Sequence, residues 1–290
     1  MNAENFFVAV RQLRPSHWIK NILIFAPAVI PFRLERIDLL FLGFFALNFM
    51  ASFGYLVNDF INVSDDRLHP TKRFRPFAYG QIGQRDLYYL MALCFVLANS
   101  FAIFLGFQFY LLLWLYALGT LVYTFFFKKI IFLDVFWLVG LLMIRIWCGA
   151  VLTHIPITIY FFSFSFLLFL SLALHKRFSH IQRVLENDQI SPHYPKQSLL
   201  YLRYLGLLTA ALALLVLVTY IYSDEAHRFF PSPLKLWPIV FFIGFWIWDI
   251  YSFESSPQII DDAVVFILTD KKSLLYVVGS LCSFCVAKFY

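Results

Sequence analysis

Charge is what this sequence has least of. Of its 290 residues only 14% are Asp, Glu, Lys or Arg, about half the share usual in a soluble domain. So few charges beside so much apolar surface exclude a disordered chain, which stays solvated through high charge and low hydrophobicity. Cysteine is sparse too. Cys94, Cys148, Cys282 and Cys285 all fall within apolar runs, and no disulfide framework is expected. Cys282 and Cys285 form a CxxC without a second pair or a histidine cluster, so the four are read as small buried residues of membrane helices. Residues 1–20 carry Arg11, Arg14 and Lys20 and lack the cleavable apolar core of a signal peptide. The sequence has no glycine-rich phosphate loop, catalytic triad or internal repeat.

Apolar surface is what it has in excess. Hydrophobic residues make up 61% of the chain, 37 of them Phe, and the mean hydropathy is +0.76. A water-soluble globule of this length has too little interior to hide that surface. A bilayer tolerates it, and a spanning helix needs about 20 mostly apolar residues. Nine segments qualify: 19–34, 38–58, 87–106, 109–127, 131–152, 157–175, 199–222, 235–253 and 272–289. The first is short and contains Pro27 and Pro31. The turns at 106–108 and 153–156 are brief enough to imply antiparallel neighbours. The expected fold is all-α: a multi-pass membrane bundle of about nine helices, with residues 1–290 as one integral membrane domain.

Basic residues orient it. With the N-terminus in the cytoplasm, 17 of the 23 Lys and Arg lie on the cytoplasmic side, five on the other, and Arg145 within a span. The net charge of +6 thereby follows from topology, and no nucleic-acid partner is needed to explain it. Topology does not explain the acids. Asp59, Asp65 and Asp66 gather where the second span leaves the membrane, inside the most basic loop. If the helix runs on through residue 66, then Asn58 or Asp59, Asn62, and Asp65 or Asp66 share one face. Oxygen ligands on one face can hold Mg²⁺, an ion that keeps some waters and bridges to substrate phosphates. The same spacing also suits plain solvated helix caps. The run that follows, DRLHPTKRFRP, adds Arg67, His69, Lys72, Arg73 and Arg75. Acids for a metal beside cations for phosphate oxygens suit a magnesium-diphosphate substrate.

These residues resemble the UbiA superfamily of intramembrane transferases, whose first motif is NDxxDxxxD. Within it the likeness is greatest to the decaprenyl-phosphate phosphoribosyltransferases. It is carried by Arg14-Pro15, Trp18 to Asn21, Tyr55 to Asp59, Asp66-Arg67, His69 to Pro76, Gly80, Tyr123, Lys128, Leu133 to Val135, Arg145, Gly149 and Lys176 to Phe178, in the family's order over about two thirds of the chain. Two positions depart from the pattern. The middle acid of the motif is Asn62, which keeps a carbonyl ligand and loses a charge, with Asp65 as a candidate substitute. The second DxxxD motif of the prenyltransferases is reduced to Asp134, with Leu138 in place of the second acid.

The resemblance implies transfer of phosphoribose from 5-phosphoribosyl 1-diphosphate to a polyprenyl phosphate, with Mg²⁺ as cofactor, at the cytoplasmic rim of a bacterial inner membrane. It assigns Asn58, Asp59, Asn62 and Asp66 to the metal. Lys72, Arg73 and Arg75 are assigned to the donor phosphates, and Lys20, Lys128, Lys176 and Arg177 to the acceptor phosphate. Asp134 would orient a ribose hydroxyl or a lysine, and Tyr123 would touch the donor. Catalysis is expected of Asp59, Asp66, Lys72 and Asp134. Arg145, costly inside a membrane, either faces an anion or holds a neighbouring helix. The competing functions are a prenyl transferase using a prenyl diphosphate, and a non-catalytic lipid-binding or transport relative. Lipid chain length and oligomeric state are not encoded in these motifs.

Overall fold

A computed structural model describes residues 3–29, 31–127, 130–186, 197–252 and 270–290, and every regular element among them is helical. The helices are α1 (Ala3–Gln12), α2 (Ala26–Val29), α3 (Ile37–Ile61), α4 (Val63–Leu68), α5 (Pro76–Tyr79), α6 (Gln84–Ile103), α7 (Phe107–Phe125), α8 (Leu133–Thr153), α9 (Ile159–Glu186), α10 (Ser198–Ile221), α11 (Asp224–Phe229), α12 (Trp237–Ser252) and α13 (Lys271–Phe289). Among the described residues, eight helical stretches are long and apolar enough to cross a membrane. They correspond to the last eight segments expected from hydropathy. This is an all-α integral membrane protein.

The first expected span takes a different form. Pro15–Phe25 is an eleven-residue 3-10 helix, followed by the short α2. Pro27 supplies no backbone N–H, which disfavours a long α-helix through this stretch. A 3-10 run of this length is unusual, because its hydrogen bonds are poorer than those of an α-helix. Side chains hold it in place. Trp18 Nε1 donates to Ser52 Oγ at 3.0 Å, and Ser52 Oγ donates to the carbonyl of Leu13 at 2.9 Å. Asn21 Nδ2 donates to Asn48 Oδ1 at 2.6 Å. Arg145 Nε donates to Asn21 Oδ1 at 2.6 Å, and Arg145 Nη2 donates to the Tyr116 hydroxyl at 3.0 Å. The Arg145 guanidinium also lies over the Tyr116 ring, 4.7 Å from its centroid. Arg145 is thus buried with its charge spread over polar and aromatic partners, the condition under which an arginine is tolerated away from water.

The chain packs as two compact units, 1–128 with 144–156, and 129–143 with 157–290. In the first, α3 lies against α6, α7 and the 3-10 segment. Its core gathers Leu56, Phe77, Ile82, Leu87 and Cys94, backed by Phe53 and Phe60. In the second, α9 packs along α10, and α12 along α13. Ala210, Trp246, Ile247, Ile250 and Tyr251 form a core there. Trp246 Nε1 donates to Ser273 Oγ, the Tyr276 hydroxyl donates to Asp249, and Asp270 caps α13 by accepting from the Ser273 N–H.

Two expectations need correction. The helix does not run unbroken through the acidic segment. α3 ends at Ile61 and α4 starts at Val63, because the Asn62 side chain bonds back to the Asn58 carbonyl at 2.7 Å and so competes with the backbone ladder. The cysteines also divide. Cys94 and Cys148 are buried, whereas Cys282 and Cys285 are exposed on α13, one turn apart.

Gly149 marks the closest backbone approach in the first unit. A Cβ there would overlap the carbonyl oxygen of Ile24 in the 3-10 segment. Since that neighbour is main chain, it cannot rotate away. Gly149→Ala is expected to destabilise the protein by about 1–3 kcal/mol, read as a lower thermal unfolding midpoint in detergent.

Candidate active site

Two carboxylates lie at the centre of the site. Asp59 is 2% exposed and Asp66 is 4% exposed. They stand seven residues apart, so two helical turns bring them to one face despite the break at Asn62. Asp65 is exposed, which resolves the ambiguity left by spacing: Asp66 is the inward acid. Burying two carboxylates without compensation is very unfavourable, and arginines supply that compensation. Arg75 Nη1 donates to Asp59 Oδ1 at 3.2 Å and to Asp66 Oδ2 at 2.5 Å. Arg14 pairs with the same Oδ1 of Asp59. Gln12 Nε2 donates to Asp59 Oδ2 at 2.8 Å.

The loop that delivers Arg75 is shaped locally. His69 Nδ1 accepts from the backbone N–H groups of Thr71 at 3.3 Å and Lys72 at 3.4 Å. Burial, helped by the positive charge of Lys72, holds the His69 imidazole below its usual pKa, with Asp66 opposing. The two N–H groups aimed at Nδ1 make it the acceptor of the ring. Lys72–Phe74 forms a 3-10 turn, and Pro76 opens α5 with its fixed φ. Gly80 closes α5 at φ +87°, a left-handed conformation that suits glycine. Arg67 Nε reaches the Ala78 carbonyl at 3.2 Å and ties α4 to α5.

A recess of about 180 Å³ opens beside the acids, lined by Arg11, Gln12, Arg14, Asp59, Thr71, Phe74, Arg75 and Pro76. Three arginines in one small concavity favour an anionic guest. Lys72 and Arg73, expected at the donor phosphates, are exposed and do not line it. Arg73 lies over the Phe74 ring at 4.8 Å. Lys20, on the 3-10 segment, and Tyr123, on α7, are half-buried, and Lys176 is exposed on α9. Lys128 lies outside the described residues.

The oxygen donors that a divalent ion would need come from α3 and α4. Asp59 and Asp66 converge on a single cationic nitrogen. The Asn58 and Asn62 amides adjoin each other, with Asn62 Nδ2 donating to Asn58 Oδ1 at 3.1 Å. Among the described residues no group of three or more His, Cys, Asp or Glu side chains surrounds one point. Two converging carboxylates suit Mg²⁺, which commonly takes one or two protein carboxylates and fills its remaining positions with water and phosphate.

Asp134 belongs to the second unit. It is fully buried at the start of α8, where its Oδ2 accepts from Arg177 Nη2 and its Oδ1 from the Val135 N–H at 2.9 Å. Arg145, eleven residues further along α8, joins the network of Asn21 and Tyr116 in the first unit.

The family model for the UbiA prenyltransferase family matches residues 22–190. The chain belongs to that family. Among curated relatives, an uncharacterised protein of Sinorhizobium fredii, y4nM, is 30% identical over 93% of this chain and 53% of its own length. Nodulation protein NoeC of Azorhizobium caulinodans is 32% identical over 62% of this chain and 59% of its own. Decaprenyl-phosphate phosphoribosyltransferase of Mycobacterium tuberculosis is 31% identical over 52% of this chain and 53% of its own. The chain spans about half the length of the curated relatives it matches. A solved UbiA homologue of Archaeoglobus fulgidus, bound to GPP and Mg²⁺, superposes with a TM-score of 0.68 at 17% identity, covering 96% of this chain and 99% of that one. At that identity the likeness is one of fold.

Two residues of the site went unassigned in the sequence. Gln12 carried no signal beyond its place two residues before the Arg14-Pro15 match. Arg11 was counted only as topology. Arg75, in contrast, was singled out and proves to be the shared partner of both acids. Replacing Arg75 by Met leaves Asp66 without the only cation that the structure gives it among the described residues. We expect a loss of about 1–3 kcal/mol, seen as a lower thermal midpoint. Adding Asp66→Asn to Arg75→Met should recover part of that loss, so the double variant melts above the single one.

Proposed function

We propose that this protein transfers the 5-phosphoribosyl group of 5-phosphoribosyl 1-diphosphate to a polyprenyl phosphate and releases diphosphate, in a magnesium-dependent reaction at the cytoplasmic rim of a bacterial inner membrane. One observation carries the proposal: two buried acids converge on one cation beside a recess walled by Arg11, Arg14 and Arg75. Acids and arginines at that proximity suit a metal-bound diphosphate. A solely basic recess would suit a bare anion.

In the reaction the bond from ribose C1 to the diphosphate oxygen breaks, and an oxygen of the polyprenyl phosphate bonds to C1. Positive charge develops on the ribose and negative charge on the leaving group, as in other glycosyl transfers. Asp59 and Asp66, with the amide oxygens of Asn58 and Asn62, would hold Mg²⁺, which when bound neutralises charge on the departing diphosphate. Arg75 stands at both acids and Arg14 at Asp59; both would donate to diphosphate oxygens, and Arg11 and Thr71 widen the recess for further phosphate oxygens. The exposed Lys72 and Arg73 would attract the anionic donor from solution. The acceptor phosphate is already an anion, so its oxygen needs no base. It needs cations that let it approach another anion, the role that the sequence resemblance implies for Lys20, Lys128, Lys176 and Arg177.

A prenyl diphosphate donor is the competing substrate. The sequence of α8 favours phosphoribose: Leu138 stands where the prenyltransferase motif has a second acid, and the one remaining acid, Asp134, is taken up by Arg177. No second acidic pair is offered there for a further metal.

The test is direct. Purified protein receives Mg²⁺, a polyprenyl phosphate and ribose-labelled 5-phosphoribosyl 1-diphosphate, and label is expected in the lipid phase. Asp59→Ala should lower transfer by about a thousandfold, the scale of losing a principal electrostatic contact to the reacting group. Label that stays aqueous while a prenyl diphosphate is consumed would replace this proposal with the competing one. Asn62→Asp restores a charge next to the proposed ion and should lower the Mg²⁺ concentration needed for half-maximal transfer. An unchanged requirement removes position 62 from the ligand set.

A further inference from the structure

Gln12, the last residue of α1, is 1% exposed. It bridges two elements far from it in sequence. Its Nε2 donates to Asp59 Oδ2 at 2.8 Å, and its Oε1 accepts from the backbone N–H of Phe77 at 3.1 Å. These partners fix the amide's orientation. An ionised carboxylate only accepts and a backbone N–H only donates, so the flipped amide would face one acceptor with another and one donor with another. One neutral side chain therefore ties the acid on α3 to the first turn of α5.

A second observation concerns the same segment. Arg14 has φ +55° and ψ +60°, a left-handed conformation that costs a non-glycine residue about 1–2 kcal/mol. Its guanidinium pairs with Oδ1 of Asp59, the oxygen that Gln12 leaves open. Strained backbone of this kind persists where surrounding contacts over-determine it, and it gathers at functional sites. The end of α1 and the residues just after it thus grip both oxygens of one acid, one through a neutral amide and the other through a cation.

We propose that Gln12 is a positioning residue for Asp59. It pins Oδ2, which leaves Oδ1 turned toward Asp66 across the point where Arg75 Nη1 sits. Because the amide is neutral, it orients the carboxylate without cancelling its charge. The inference rests on the assignment of Asp59 to a divalent ion, and it is independent of which diphosphate is the donor.

The experiment uses the full chain in detergent with Mn²⁺ as the probe, read by the loss of the free-ion electron paramagnetic resonance signal, and a Mg²⁺ titration of transfer alongside. Gln12→Met keeps the length and packing of the side chain and removes both hydrogen bonds. Supporting contacts behind a metal ligand are commonly worth tenfold to a hundredfold in metal affinity. Mn²⁺ should therefore bind about tenfold more weakly or worse, the Mg²⁺ requirement should rise in parallel, and the KM for polyprenyl phosphate should stay within about twofold. Should the Met variant fail to fold, Gln12→Asn, which keeps the amide but falls one methylene short, supplies the same comparison. Unchanged Mn²⁺ affinity with a lower thermal midpoint would make Gln12 a tie between α1 and α5 and overturn the proposal. Wild-type protein that binds no Mn²⁺ would overturn both this inference and the metal assignment. Wild-type protein whose Mn²⁺ affinity falls on Gln12→Met, yet which transfers no phosphoribose, leaves the inference standing and removes only the choice of donor.

Discussion

A carboxylate withdrawn from water needs a partner, and two side by side need one urgently. This constraint organises the first unit. Asp59 and Asp66 lie buried on one face, and Arg75 answers both with a single nitrogen. For Arg75 to reach that point, the chain must turn back after α4. The turn is built from His69 accepting two backbone N–H groups, a short 3-10 helix and Pro76 at the head of α5. Arg14 and Gln12 close on Asp59 from the N-terminal side. The two acids are not equally secured: Asp66 has Arg75 as its cation among the described residues, so losing Arg75 strands it, whereas Asp59 keeps Arg14 and Gln12.

The membrane fold was legible because the bilayer imposes a length and a composition that hydropathy reads directly. Eight of the nine expected segments are spanning-length helices. The first is a 3-10 run because its form is decided by distant partners: Asn48, Ser52 and Arg145 are far from it in sequence and adjacent to it in space. No local pattern announces them. The acids were legible through their spacing. Choosing between Asp65 and Asp66 required knowing how Asn62 bends the chain, and that depends on a side-chain hydrogen bond to Asn58.

Arg145 illustrates the same divide. Its presence inside an apolar run marked it as important, but its meaning depended on which neighbours met it. They are Asn21 and Tyr116. Gln12 was the opposite case. An uncharged residue in a short amphipathic helix draws no attention, and only its two partners reveal it. Charge and periodicity single out the acids and the arginines, whereas a neutral residue such as Gln12 is found only through the partners that folding gives it.

The 3-10 form of Pro15–Phe25 also sets a distance. At about 2.0 Å per residue its eleven residues extend roughly 22 Å, where an α-helix rising about 1.5 Å per residue would extend roughly 16 Å. The stretched segment acts as a strut between Arg14, anchored at Asp59, and Ile24, wedged against Gly149. Were it to tighten into an α-helix, it would fall about 6 Å short, and one anchorage would have to let go.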